Sequence, residues 1–117
     1  DRVDKKEHVY VVEGPLDSLF IDNCIAIAGA EMPNLDCDFT IVFDNEPRNK
    51  EVCKLIEKNI KSGQNVCLWP ERMLEKDIND MIIYGYTKEK IQQIIKENTF
   101  SGASAQLRFA EWRKINV

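Results

Sequence analysis

HVYVVEGPLD, residues 8–17, is the stretch from which the fold class follows most directly, because an apolar run passes straight into an acid and a Gly-Pro turn. The same order returns in FTIVFDNEPR, residues 39–48. Runs rich in β-branched and aromatic residues predict strands. Strands that are apolar at nearly every position are typical of parallel sheets covered on both faces. The two stretches together predict an α/β protein.

The rest of the chain alternates predicted helices and strands. Pro15 suits the first position of a helix, which we expect over 16–23. A second strand is predicted over 25–28 and ends at Gly29. A helix is predicted from residue 47 or 49 to 62, then a strand over 65–69 and a short helix around 78–84. Thr87 is predicted to cap the next helix, whose buried face carries Ile91, Ile94 and Ile95. The last helix is predicted over 101–115 and places Leu107, Phe109 and Trp112 near the body of the protein. We therefore expect a Rossmann-like, mostly parallel four-stranded sheet flanked by helices.

Length and charge limit the kind of protein this is. The 117 residues suffice for one domain with a single core, and no apolar run approaches the roughly 20 residues of a membrane span. The net charge of −4 argues against a stand-alone DNA clamp, whose surface should be basic. Residues 1–7 are a polar lead-in, unlike a secretory signal, and the first residue is not Met. We expect a fragment of a longer chain, with residues 1–117 forming a single domain.

The cysteines do not have the spacing of a zinc site. None of the four (Cys24, Cys37, Cys53 and Cys67) belongs to a C-x-x-C pair, and the chain has only one His. We expect reduced, partly buried thiols, although the spacing leaves a disulfide open.

Acids that follow predicted strands are the candidate functional residues. Glu13 follows the first strand, Asp44 and Glu46 follow the third, and Asp77 lies in the turn after the fourth. The carboxyl ends of parallel strands meet at one edge, where ligands bind in open sheets. Like charges gathered there repel unless a cation is present. Mg²⁺ takes hard oxygen ligands, often only one or two from the protein, so the pattern predicts a site for Mg²⁺ or Mn²⁺.

Each acidic string also has a purely structural interpretation. Glu13-Gly14-Pro15 is compatible with an ordinary strand-to-helix turn, and Asp17 with an acid that offsets a helix dipole. Asp44-Asn45-Glu46 and the string from Lys76 to Asp80 both suit the start of a helix. Their occurrence together, in this order, favours the functional interpretation.

These strings resemble the Toprim domain, the catalytic module of bacterial-type primases, topoisomerases and some nucleases. Glu13-Gly14 is similar to its first motif, Asp44-x-Glu46 to its Asp-x-Asp motif with Glu in place of the second Asp, and Lys76-Asp77-x-Asn79-Asp80 to its later acidic turn. Gly29 and Asp17 also match. The amino-acid sequences of residues 9–21, 44–48 and 76–82 most resemble those of the DNA primases of T-even-type bacteriophages. This resemblance covers about residues 8–115.

The resemblance implies a Toprim catalytic domain from the C-terminal part of a primase. It implies metal-dependent nucleotidyl transfer that makes short RNA primers on single-stranded DNA during phage replication, in the host cytoplasm and beside a replicative helicase. Asp44 and Glu46 are then the main metal ligands with Asp77 assisting, and Glu13 binds metal or acts as an acid or base. Lys76 and Arg48 would contact the triphosphate. The longer side chain of Glu46 puts direct ligation by that residue in doubt.

Other interpretations remain open from the sequence. A Toprim-type nuclease uses similar acids to break phosphodiesters, and a non-catalytic Toprim module would bind metal or a partner only. A receiver-like domain also places acids at strand ends, but the Glu-Gly-Pro turn does not suit it. In the last helix, Arg108, Arg113 and Lys114 beside two aromatics suit either a nucleic-acid contact or a helix docked on the core.

Overall fold

A computed structural model of the protein describes residues 8–14, 20–26 and 38–113. The strands in this part of the chain are β1 (Val9–Val12), β2 (Cys24–Ala26), β3 (Phe39–Val42), β4 (Asn65–Cys67) and β5 (Thr99–Phe100). The helices are α1 (Lys50–Lys61), α2 (Ile78–Tyr84), α3 (Lys88–Glu97) and α4 (Gly102–Trp112). Most of the helix predicted over 16–23, together with Asp17, Gly29, Cys37 and Lys114, lies outside the described residues.

The strands form one sheet in the order β2-β1-β3-β4-β5. Neighbours among the first four strands run parallel, and β5 pairs antiparallel with β4. The predicted α/β class and mostly parallel sheet are confirmed. The predicted number of four strands was wrong, because the two-residue β5 is too short to show any strand pattern between two helices.

Helices cover both faces of the sheet, which explains the nearly continuous apolar strands. Ile41 and Val66 point to the face covered by α1 and α4, while Val42 and Cys67, the next residues along each strand, point to the face covered by α2 and α3. The side-chain period of two along a strand produces this division. The predicted buried stripe of α3, Ile91, Ile94 and Ile95, is confirmed.

Polar side chains cap the starts of α1 and α3. Asn49 accepts hydrogen bonds from the backbone N–H groups of Glu51 and Val52 at the start of α1. Thr87 accepts one from Lys90 N–H at the start of α3, as predicted. Such caps satisfy N–H groups that have no partner inside the helix and contribute about 1 kcal/mol each.

The last helix docks its aromatic side chains on the core. Phe109 and Trp112 are buried with Ala105, a spacing of four and three residues that lies on one helical face. Leu107 was wrongly expected near the body: it is 73% exposed, because two residues from Ala105 is nearly the opposite side of the helix.

The described ranges also bear on the thiols and on membrane crossing. Cys53 and Cys67 are buried and are free thiols. None of the helices in those ranges has the length and apolar character that crossing a membrane requires.

Candidate active site

The sheet order brings the ends of β1 and β3 together. These strands are parallel neighbours in register, with Val12 opposite Val42. β2 lies on the other side of β1, so the chain direction across the sheet reverses between β1 and β3. In open α/β sheets, ligands bind beyond the carboxyl ends of the strands at such a reversal. Glu13 and Asp44 follow these two ends directly.

The first two predicted acids meet at this edge. Oε2 of Glu13 accepts a hydrogen bond from the backbone N–H of Asp44 at 2.7 Å. Both residues are partly buried, and 31 positions separate them in the sequence. The contact therefore fixes the carboxylate of Glu13 against the segment that carries Asp44 and Glu46.

Asn45 joins this segment to the loop after β4. Its Nδ2 donates to the carbonyl oxygens of Met73, at 2.7 Å, and Glu75, at 3.1 Å. Its Oδ1 accepts from Nε1 of Trp112 at 3.2 Å, and its backbone N–H donates to the carbonyl of Lys76. Asn45 is only 9% exposed, so these bonds are shielded from water. The residue between the two predicted ligands thus organises the site, and its sequence neighbours gave no indication of this role.

Glu46 lies near a cation. The ammonium of Lys76 is 3.8 Å from Oε1 of Glu46, and the Lys76 side chain is 59% exposed against 26% for Glu46. This is a loose, solvent-screened pair that contributes little to stability. It does show that the segment carrying Asp44 and Glu46 (the acid segment) and the loop after β4 lie close enough for their charges to interact.

Asp77 begins α2. Its Oδ1 accepts a hydrogen bond from the backbone N–H of Asp80 at 2.8 Å. The helix-start interpretation of this residue is therefore confirmed. A carboxylate has two oxygens and about four acceptor positions, so capping is compatible with a second role.

The predicted acids share one edge of the sheet without forming a ready-made metal cage. Across residues 8–14, 20–26 and 38–113, no group of three or more His, Cys, Asp or Glu side chains is arranged to hold a metal ion. The predicted ligands at this edge are carboxylates, which supply the hard oxygen donors that Mg²⁺ prefers. They fit an ion that takes one or two ligands from the protein and the others from water and phosphate.

Arg48 lies on the solvent side of the acid segment. It is exposed and lines a shallow concavity of about 430 Å³ together with Glu46 and Lys76. The two predicted triphosphate contacts, Arg48 and Lys76, therefore flank one acid.

The sequence is similar to that of a phage replication protein. It is 39% identical over 117 residues to the DNA primase of Enterobacteria phage T4, across 95% of this chain and 34% of that protein. This chain is related to a phage DNA primase. It spans about a third of that primase's length, and the expected resemblance to phage primases is confirmed over this part. No protein-family model matches the chain.

Proposed function

We propose that this chain is the Toprim-type catalytic part of a DNA primase that joins ribonucleotides on single-stranded DNA in the host cytoplasm. The observation that carries the proposal is the contact between Glu13 and the Asp44 backbone at the carboxyl ends of β1 and β3. Two acids far apart in sequence meet where the fold places ligands. The 39% identity to a phage primase supports this reaction class.

The acids of this edge would hold one or more Mg²⁺ ions. Asp44 and Glu46 are the proposed principal ligands, with Asp77 assisting through acceptor capacity that the helix cap does not use. A bound divalent ion would lower the pKa of an attacking hydroxyl and offset the negative charge that develops on phosphate. The Lys76 ammonium, 3.8 Å from Oε1 of Glu46, would have to move aside or turn to phosphate when Glu46 binds the ion.

In the proposed reaction, a ribose 3′-oxygen bonds to the α-phosphorus of a nucleoside triphosphate and pyrophosphate leaves. Glu13, whose carboxylate accepts a hydrogen bond from the Asp44 N–H, would take the hydroxyl proton or bind metal. Lys76 and Arg48 would attract the triphosphate and neutralise part of its charge. The proposed partners are single-stranded template, ribonucleoside triphosphates and a replicative helicase.

Metal binding tests the site directly. We expect Mn²⁺ to bind this chain, as measured by electron paramagnetic resonance, and Asp44→Asn to weaken binding by about tenfold or more. Asp38→Asn is the matched control, because Asp38 is exposed and precedes β3 at the opposite edge of the sheet. Equal Mn²⁺ affinities for the Asp44→Asn variant and the unmodified chain would remove the proposed ligand set.

An activity assay separates the candidate reactions. Single-stranded template, ribonucleotides and Mg²⁺ should give short RNA primers in a primase that includes this chain, and Asp44→Ala or Glu46→Ala should abolish them. Cleaved DNA would instead indicate a Toprim-type nuclease. Metal binding with neither product would indicate a non-catalytic module.

A further inference from the structure

Basic side chains line a cleft between the start of α1 and the end of α4. The cleft has a volume of about 330 Å³, and Arg48, Lys50, Lys54 and Arg113 are on its walls. Glu57 is the one acid among the described residues that line it. On a chain with a net charge of −4, this is a local reversal of sign. Such a cleft concentrates anions, because its low-dielectric walls focus the field.

The acid in the cleft lies beside a further lysine. Oε1 of Glu57 lies 3.9 Å from Nζ of Lys61, one helical turn further along α1. Lys61 does not line this cleft, and the pair is exposed and solvent-screened. The four cations of the walls outnumber the single acid among the described residues that line the cleft.

Cys53 contributes an uncharged surface to the cleft, and the side chain of Arg113 on its wall is held in place by an aromatic ring. Sγ of Cys53 donates to the carbonyl of Pro47 at 3.3 Å. Burial raises the pKa of this thiol, although nearby Arg113 opposes the shift, so the thiol stays uncharged at neutral pH. The guanidinium of Arg113 lies 5.1 Å from the ring centroid of Phe109, a cation–π contact that orients it.

The cleft continues into the candidate active site. Arg48 lines both the basic cleft and the concavity that contains Glu46 and Lys76. Lys50 and Lys54 lie one turn apart on α1, about 6 Å along the helix axis. The cations thus form a track that leads towards the acids, which suits an extended chain of phosphates better than a compact triphosphate.

We propose that this basic cleft binds the backbone of a single-stranded nucleic acid and leads it to the acid segment. The direction of the strand towards catalysis rests on the proposed function. The binding itself rests only on the charges and shape of the cleft, and it requires no metal ion. Single-strand binding of this kind follows a positively charged groove along the backbone.

The test measures binding of a fluorescent oligothymidylate to this chain by anisotropy, in EDTA, at several salt concentrations. Release of counterions from three to four phosphates predicts a slope of log K against log salt of about −2 to −3. Affinity should then fall roughly 15- to 60-fold between 50 and 200 mM salt. Lys54→Ala should weaken binding about five- to tenfold at 50 mM salt and reduce the slope by about 0.7.

Lys90→Ala is the matched control. Lys90 is an exposed lysine on α3, which packs on the opposite face of the sheet, so its removal should change neither affinity nor slope. Equal losses for Lys54→Ala and Lys90→Ala would overturn the proposal, as would no binding at 50 mM salt. Displacement of the oligonucleotide by ATP at a far lower concentration of phosphate groups would instead assign the cleft to nucleotides. Because EDTA removes divalent ions, failure of the metal site and failure of the cleft give different results.

Discussion

Replacing Asn45 with alanine tests whether the acid segment depends on this residue for its position. The substitution removes the hydrogen bonds to the carbonyls of Met73 and Glu75 and the bond from the Trp112 indole. All three join segments that are distant in sequence. The backbone bond from Asn45 N–H to Lys76 remains possible, so the change removes only what the side chain does.

The expected loss of unfolding free energy is about 3 kcal/mol. A typical hydrogen bond contributes about 1 kcal/mol net, and a buried partner left unsatisfied costs about 1–3 kcal/mol. Water that reaches the emptied site can bond to the groups left unsatisfied, which lowers the total free-energy cost to about this value. For a domain of this size the loss corresponds to a fall in Tm of about 10–15 °C. The measurement is urea and thermal unfolding followed by circular dichroism.

Asn59→Ala provides the control. Asn59 is as buried as Asn45, 8% against 9% exposed, but its side chain donates only to Leu55 one turn back in α1. We expect this variant to lose about 1 kcal/mol or less, since alanine favours helix and the Leu55 carbonyl has a helical partner. Losses within about 0.5 kcal/mol of each other would refute the organising role of Asn45. A double-mutant cycle with Trp112→Phe should show a coupling energy of about 1 kcal/mol.

Two further predictions concern stability. Burial raises the pKa of the Cys67 thiol, so the folded state keeps a proton that the unfolded state releases above about pH 9. The contribution of Cys67 to stability should therefore be constant below that pH and fall by up to about 1.4 kcal/mol per pH unit above it, and urea unfolding at pH 8–10 should show a smaller fall in Cys67→Ala. Gly85 ends α2 with φ of 132°, and no atom lies within 4 Å of the place where a Cβ would stand. Gly85→Ala should thus cost about 1–2 kcal/mol through backbone strain alone, and an unchanged Tm would contradict that account.

The sequence predicted the strand-then-acid edge because that pattern is local. Apolar runs ending in Glu13 and Asp44 identify strands and the residues after them, and parallel strands share one carboxyl edge. That β1 and β3 are neighbours is a property of the whole sheet, which no single stretch encodes. The contact between Glu13 and the Asp44 backbone depends on that adjacency.

The features of the site that the sequence did not indicate depend on contacts between residues far apart in the chain. The partners of the Asn45 side chain lie 28, 30 and 67 residues away. A polar residue between two acids has the same local signature whether it is solvated or buried. For Asp77 the local pattern allowed a cap or a ligand, and the structure confirms the cap, while the metal role remains a prediction.

From the sequence alone, the basic and aromatic residues of the last helix suit either docking on the core or contact with nucleic acid. In the structure, one residue of this helix end packs on the core and the next residue lines the basic cleft. Trp112 is buried and donates to Asn45, so it supports the acid segment from beneath. Arg113, the next residue, lines the basic cleft and is oriented by Phe109. Because one helix end supplies both contacts, a shift of α4 would displace the acid segment and the cleft wall together. The position of α4 against α1 therefore sets the geometry of both, which makes the last helix part of the site.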